Sequence, residues 1–187
     1  MYWADKAEKA QLRNEIRADL RTRQPEDTAE ADRLIVQRVR ALPVYAAAET
    51  VFLFVGRYPE IPTAELIERA VLDGKTVALP KSRPQGRMDF YRYTGTLQPG
   101  LYGILEPVSD TLLTPTEHDL MLVPGLSFTP EGVRLGQGGG YYDRYLAEHP
   151  CFTLGLCRQR DLRQQIPTQW NDLQVNAVLT ESSIYCK

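Results

Sequence analysis

The chain has little of what marks the specialised protein classes. None of its apolar runs approaches the ~18 residues that a membrane-spanning helix needs, and its N-terminal segment is charged rather than apolar. Membrane insertion and export are therefore not expected, and the sequence reads as cytoplasmic. Neither sign of charge dominates: a net charge of −2 leaves no basic footprint for nucleic acid. The 3 cysteines, Cys151, Cys157 and Cys186, include no Cys-x-x-Cys pair, which argues against a disulfide framework or zinc site and for reduced, mostly buried thiols. The 2 histidines, His118 and His149, lie far apart without ligand spacing, and Ser127 lacks the glycine-flanked elbow of a nucleophilic serine. Internal repeats and low-complexity tracts are absent.

What remains is an ordinary globular composition. With 187 residues, 43% of them hydrophobic, the chain can build a real core as a single domain spanning 1–187. Apolar residues at Leu12, Ile16 and Leu20 recur every fourth position and predict a helix over Lys6 to Arg23, with Lys9 and Arg13 one turn apart on a basic face. A second helix is expected over Ala29 to Leu42, packed through Leu34, Ile35, Val39 and Leu42 and ended by Pro43. Thr50 to Val55 reads as a strand covered on both faces. Thr63 then caps a third helix whose core face is Leu66, Ile67, Ala70 and Val71 and whose end is Gly74.

Thr76 to Pro80 supplies the next strand, so strand, helix and strand form a right-handed crossover unit. Sheets of this kind bind ligands beyond the carboxyl ends of their strands, where Glu60, Lys81 and the glycines after Val123 are expected. A hairpin or edge strand is expected at Met88 to Tyr93. Tyr91, Tyr93 and Tyr102 either pack or line a pocket for a flat ring. Phe152 to Cys157 and Val175 to Thr180 read as two further strands. The fold class is therefore α/β, a Rossmann-like three-layer sandwich with a mostly parallel sheet and helices on both faces.

The most informative stretch is Leu120 to Leu146, a buried strand, a turn, a bare-backbone loop and a helix. Four of the five residues from Gly136 to Gly140 are glycine, so backbone amides there can approach a ligand closely and adopt φ > 0. The helix starting at Tyr141 places its positive end behind those amides, an arrangement suited to an anion. The pattern is not a P-loop, since no Gly-Lys-Ser/Thr follows, and Tyr141 stands where a dinucleotide fingerprint would need its third glycine. Arg134 before the glycines can meet phosphate oxygens, and Asp143 after them can hold an accompanying magnesium ion.

Pro124-Gly125-Leu126-Ser127-Phe128 followed by Arg134-Leu135-Gly136-Gln137-Gly138-Gly139-Gly140-Tyr141-Tyr142-Asp143 resembles the signature of the 5-formyltetrahydrofolate cyclo-ligase family. Lys9 to Arg13, Glu60 to Thr63, Gly103 to Pro107 and Asn171 to Asn176 resemble further segments of it, so the likeness covers nearly the whole chain. The resemblance implies ATP-dependent conversion of 5-formyltetrahydrofolate to 5,10-methenyltetrahydrofolate, with Mg2+. It implies ATP contacts at Lys9, Arg13, Arg134, Leu135, Gly136, Gln137, Gly138, Gly139, Gly140, Tyr141 and Tyr142. Folate contacts are implied at Val55, Glu60, Gln137, Gly138, Gly139, Gly140 and Tyr141, and metal ligands at Asp143 and Asp172. No catalytic nucleophile is implied.

Two departures from the family pattern stand out: Asn176, where an acidic residue is common, and Thr129, where an aspartate is common. The expected partners are small molecules acting on a monomer. The rival readings are a non-catalytic nucleotide-binding or regulatory protein, and a phosphosugar isomerase or acyl-CoA transferase on a similar sheet.

Overall fold

The computed structural model describes residues 6–187, with only the backbone of Tyr102. Helix α1 (Lys6–Thr22) is followed by α2 (Ala29–Arg40), the short α3 (Pro43–Ala47), strand β1 (Thr50–Phe52), helix α4 (Ala64–Leu72) and the hairpin of β2 (Thr76–Arg83) and β3 (Arg87–Arg92). A small antiparallel pair, β4 (Leu97–Pro99) and β5 (Leu105–Pro107), and the edge strand β6 (Leu112–Leu113) lead into β7 (Leu120–Val123). A second small hairpin, β8 (Ser127–Phe128) and β9 (Arg134–Leu135), precedes α5 (Tyr141–Glu148). Strands β10 (Phe152–Leu156), β11 (Ala177–Leu179) and β12 (Ile184–Cys186) follow.

The central sheet has 8 strands in the order β12-β11-β10-β7-β1-β2-β3-β6. Its inner strands, from β11 to β2, run parallel, and antiparallel strands close both edges. Side chains alternate between the faces as the pleat requires. Val51, Leu53, Leu120 and Leu122 join a core with Ile35 and Val39 of α2 and Leu66 and Ile67 of α4. Phe52, Met121 and Val123 join the opposite core with Tyr142 and Tyr145 of α5. Helices therefore cover both faces, in the expected three layers.

From β1 the chain crosses through α4 to β2 on one side, whereas β7, β10 and β11 build outward on the other. The crevice where such connections diverge lies at the carboxyl ends of β1 and β7. Helix α1 stands apart from both main cores. Ile16 and Leu20 pack with Leu126, Leu135 and Ile166, which lays the helix along the β8–β9 hairpin beside that crevice.

Several local expectations are corrected. The β8–β9 hairpin interrupts the stretch read as strand, turn, loop and helix; Thr129 closes its turn, with its amide donating to the Val133 carbonyl at 2.9 Å. Val71 is 47% exposed rather than in the core, because at 100° per residue it lies roughly 90° from the centre of the stripe formed by Leu66, Ile67 and Ala70. Lys81 lies inside the longer β2, not in a strand-end loop; its ammonium pairs with Asp110 at 3.0 Å and sits 4.5 Å from the centre of the Tyr91 ring. Pro43 follows the end of α2 and opens α3 at its first turn, where its missing N–H costs nothing.

Tyr91 is buried in β3 and Tyr93 packs against the larger core, so both take the packing role. The corresponding proposal for the Tyr102 side chain lies outside the described residues. Cys157 is buried, Cys151 half-buried and Cys186 exposed, so the last departs from the expectation of buried thiols. Burial pushes the Cys151 thiol up to about 12 and that of Cys157 higher still. Among the described residues no helix is long and apolar enough to cross a membrane.

Thr63 shows how the loop after β1 is closed. It stands before α4, but its hydroxyl does not cap the helix. The hydroxyl accepts from the Gly56 amide at 2.9 Å and donates to the Phe54 carbonyl, joining the loop's two ends. Thr63 is fully buried, so Thr63→Val, nearly identical in shape, should orphan two buried backbone groups and cost about 2 kcal/mol or more. Urea denaturation should show this as a lower midpoint at unchanged slope, and Thr63→Ser should retain most of the stability.

Candidate functional site

A cleft of about 530 Å³ opens at the carboxyl ends of β1 and β7. Phe54, Val55 and Glu60 enter it from the segment after β1, and Pro124 and Gly125 from the segment after β7. Gly136 to Arg144 form one wall; Lys9 and Arg13 of α1 and Gln169, Asn171 and Asp172 complete the polar end. Pro80, Met88 and Ile104 line it from the β2–β3 side, giving one end richer in apolar surface. A more open groove of about 790 Å³ runs between α1 and residues 164–168, lined by Glu8, Glu15 and Glu131 among others, and contains none of the expected site residues.

The glycine loop takes the conformation that its composition allows. Gly138 has φ +103° and Gly140, at the N-cap of α5, has φ +68°, regions that disfavour a side chain. Arginines hold the loop by its carbonyls. Arg13 Nε donates to the Gly136 carbonyl at 2.9 Å, Arg17 Nη2 to the Gln137 carbonyl at 3.0 Å, and Arg144 Nη2 to the Gly139 carbonyl. Among the described residues none of the amides from Gly136 to Gly140 donates to a backbone carbonyl. With three of its carbonyls held by arginine side chains and its amides free of backbone acceptors among the described residues, the loop at the start of α5 presents donors to the cleft.

Two ion pairs flank the loop. The ammonium of Lys9, only 4% exposed, is bonded to both carboxylate oxygens of Asp172. Arg134 Nη2 donates to Asp143 Oδ1 at 2.8 Å, and its guanidinium carbon lies 5.7 Å from the centre of the Tyr142 ring. Asp143 Oδ1 also receives the Leu173 amide at 3.5 Å, which brings it beside the segment carrying Asp172. Burial, followed by the neighbouring Arg17, lowers the Arg13 pKa; as a guanidinium it stays charged at neutral pH. Burial raises the Tyr142 phenol, which therefore stays protonated, and its buried hydroxyl has no hydrogen-bond partner among the described residues.

The two ends of the cleft meet through Gln137. Its Oε1 accepts from Arg17 at 3.0 Å and its Nε2 donates to Glu60 Oε1 at 3.0 Å. The structure thus gathers every expected site residue around one cleft except Leu135, whose side chain is fully buried against α1. Asn176 is also outside it: its Oδ1 accepts from both the amide and the hydroxyl of Thr153 at 2.8 Å. His118 is exposed, and the His149 ring lies tilted with its centre 4.6 Å from that of Tyr145, away from the cleft.

Sequence reasoning missed three arginines. Arg17 had a signal, since Lys9, Arg13 and Arg17 lie four apart and share one face of α1. Arg144 lies within the first turn of α5, where a cation opposes the helix dipole; its position is explained by the Gly86 carbonyl, which accepts from its Nε at 3.0 Å. Arg158 had no local signal, because its partner Asp32 is 126 positions away.

The chain matches a family model described as the 5-formyltetrahydrofolate cyclo-ligase family over residues 5–181. It is 30% identical to the mouse 5-formyltetrahydrofolate cyclo-ligase over 188 residues, covering 92% of this chain and 93% of that protein. It is also 30% identical to the cyclo-ligase of Escherichia coli K12 over 179 residues, covering 91% and 98% respectively. The solved structure of Aquifex aeolicus 5,10-methenyltetrahydrofolate synthetase superposes with a TM-score of 0.84 at 27% identity, covering 95% of this chain and 92% of the other. With nearly its full length matched, the chain belongs to the 5-formyltetrahydrofolate cyclo-ligase family.

Proposed function

We propose that the cleft binds ATP at its glycine-loop end and 5-formyltetrahydrofolate at its Glu60 end, and converts them to 5,10-methenyltetrahydrofolate, ADP and phosphate. The observation that carries this reading is the set of unengaged amides from Gly136 to Gly140 at the start of α5, flanked by Lys9, Arg13 and Arg134. Such a set neutralises phosphate charge in the way that phosphoryl transfer requires. The unpartnered Tyr142 hydroxyl would gain a partner in a bound ligand. Val55, Glu60, Gln137 and Tyr141 face the other substrate, with Pro80, Met88 and Ile104 supplying apolar surface for a flat ring system.

An amide oxygen is a poor leaving group, so the formyl oxygen first displaces ADP from the γ-phosphorus of ATP. N10 then adds to the activated carbon and loses its proton, and phosphate departs. The protein's task is to hold the two reactants in line and to exclude competing water, which suits a cleft lined, among the described residues, by neither cysteine nor histidine. Asp143 and Asp172 would hold a magnesium ion: both are hard oxygen donors beside the glycine loop, and the ion would displace the cations, Arg134 and Lys9, that pair with them here. When bound, the ion screens the phosphate charges. We place the enzyme in the cytoplasm as a monomer.

Incubating the protein with magnesium, ATP and 5-formyltetrahydrofolate should generate the near-ultraviolet absorbance of the methenyl product together with equimolar ADP; absence of both would overturn the assignment. Gly138→Val should abolish ATP binding while circular dichroism stays native, because the substituted residue must hold φ +103°, a backbone conformation that a β-branched residue resists. Asp143→Asn should lower kcat and raise the magnesium concentration for half-maximal rate by roughly tenfold or more, the scale of a charged interaction. Asp172→Asn should act in the same direction more mildly, and wild-type magnesium titrations for both variants would remove the pair from the metal site.

A further inference from the structure

We infer that Arg158 is a positioning residue for the folate end of the cleft, acting through Glu60; this rests on the reading of Glu60 as a folate contact. Arg158 follows β10 and its side chain is 3% exposed. Its guanidinium serves the Asp32 carboxylate and two loop carbonyls at once, with Asp161 Oδ2 also 3.9 Å from Nη1. Nε and Nη2 donate to Oδ1 and Oδ2 of Asp32 at 2.7 and 3.0 Å, a two-pronged pair with a buried carboxylate of α2. Nη1 donates to the Pro59 carbonyl at 2.9 Å, and Nη2 also to the Glu60 carbonyl at 3.1 Å. Neither Arg158 nor Asp32 lines the cleft, so neither touches a ligand there.

The loop from Gly56 to Ile61 is thus fixed at three places. Thr63 joins its ends, the Glu60 amide donates to the Arg57 carbonyl at 2.9 Å, and Arg158 holds the carbonyls of Pro59 and Glu60. The Glu60 carboxylate is then aimed by Gln137 from the glycine-loop side. A planar fork can serve a carboxylate and two consecutive carbonyls together, whereas an ammonium on a flexible stem cannot hold the same geometry. A buried ion pair is weak evidence for stability, since apolar replacements of similar volume often do as well. What this pair adds is a fixed orientation for the backbone that carries Glu60.

The test compares Arg158→Lys, Asp32→Asn and Glu60→Ala in steady-state kinetics with both substrates, using thermal melting to establish that each variant is folded. Arg158→Lys should raise the KM for 5-formyltetrahydrofolate roughly tenfold while leaving that for ATP within about twofold, and it should add little in a Glu60→Ala background. Equal rises in both KM values, an unchanged folate KM, or full additivity with Glu60→Ala would overturn the inference. If Glu60→Ala itself has a wild-type folate KM, the folate reading of Glu60 fails and the inference with it; if Glu60→Ala is impaired and Arg158→Lys is not, only the positioning role fails. Should Arg158→Lys not fold, Asp32→Asn keeps the guanidinium but weakens its anchor, and must show the same split between the two KM values.

Discussion

Two neighbouring parallel strands, β1 and β7, send the chain toward opposite sides of the sheet, and the crevice this opens is the constraint on which the rest of the molecule depends. The short segment after β1 must turn over the sheet edge, so it is stapled by Thr63 and held by Arg158. The longer segment after β7 folds back through a hairpin before it reaches the glycine loop, and that hairpin is also the bed on which α1 lies. Elements distant in sequence meet in the crevice because the sheet leaves it uncovered.

A site proposed to take highly charged ligands must also exist without them, and the ion pairs around the cleft meet that requirement. Leaving Lys9 or Arg134 buried and alone would be costly, and each is matched by one carboxylate, Asp172 or Asp143. The proposed phosphate and magnesium sites would then exchange partners instead of creating charge: an arriving anion competes for the cations while an arriving cation competes for the carboxylates. The carbonyls of Gly136, Gln137 and Gly139 are occupied by arginine side chains, which leaves the amides as the groups that the loop offers to a ligand.

Much of this was legible in the sequence, and the physical reasons are specific. The apolar runs of β1 and β7 and the ladder Leu12, Ile16, Leu20 carry strong periodic signals, and the four glycines before Tyr141, which alone read equally as a structural turn, gain a ligand reading from the flanking Arg134 and Asp143. The two-residue strands β8 and β9 are too short to show a period at all. Val71 was misplaced because it falls on the flank of a narrow apolar stripe, and Lys81 because β2 continues past its apolar residues to pair with β3. The Arg158 and Asp32 pair shows what local pattern cannot supply, since only the folded sheet brings a residue after β10 against α2.

Lys9, Arg13 and Arg17 ride on a single helix, and that helix is fastened by a small satellite cluster around Ile16 and Leu20 rather than by either main core. Helices held in this way belong to the lower rungs of local stability. If α1 lifts, the cation that balances Asp172 and the two that clasp the loop carbonyls leave together, so the proposed nucleotide end of the cleft is assembled or dismantled as one cooperative unit. A substitution at Ile16, well removed from any charge, would therefore reach the glycine loop as a change in the fraction of molecules that possess a complete site.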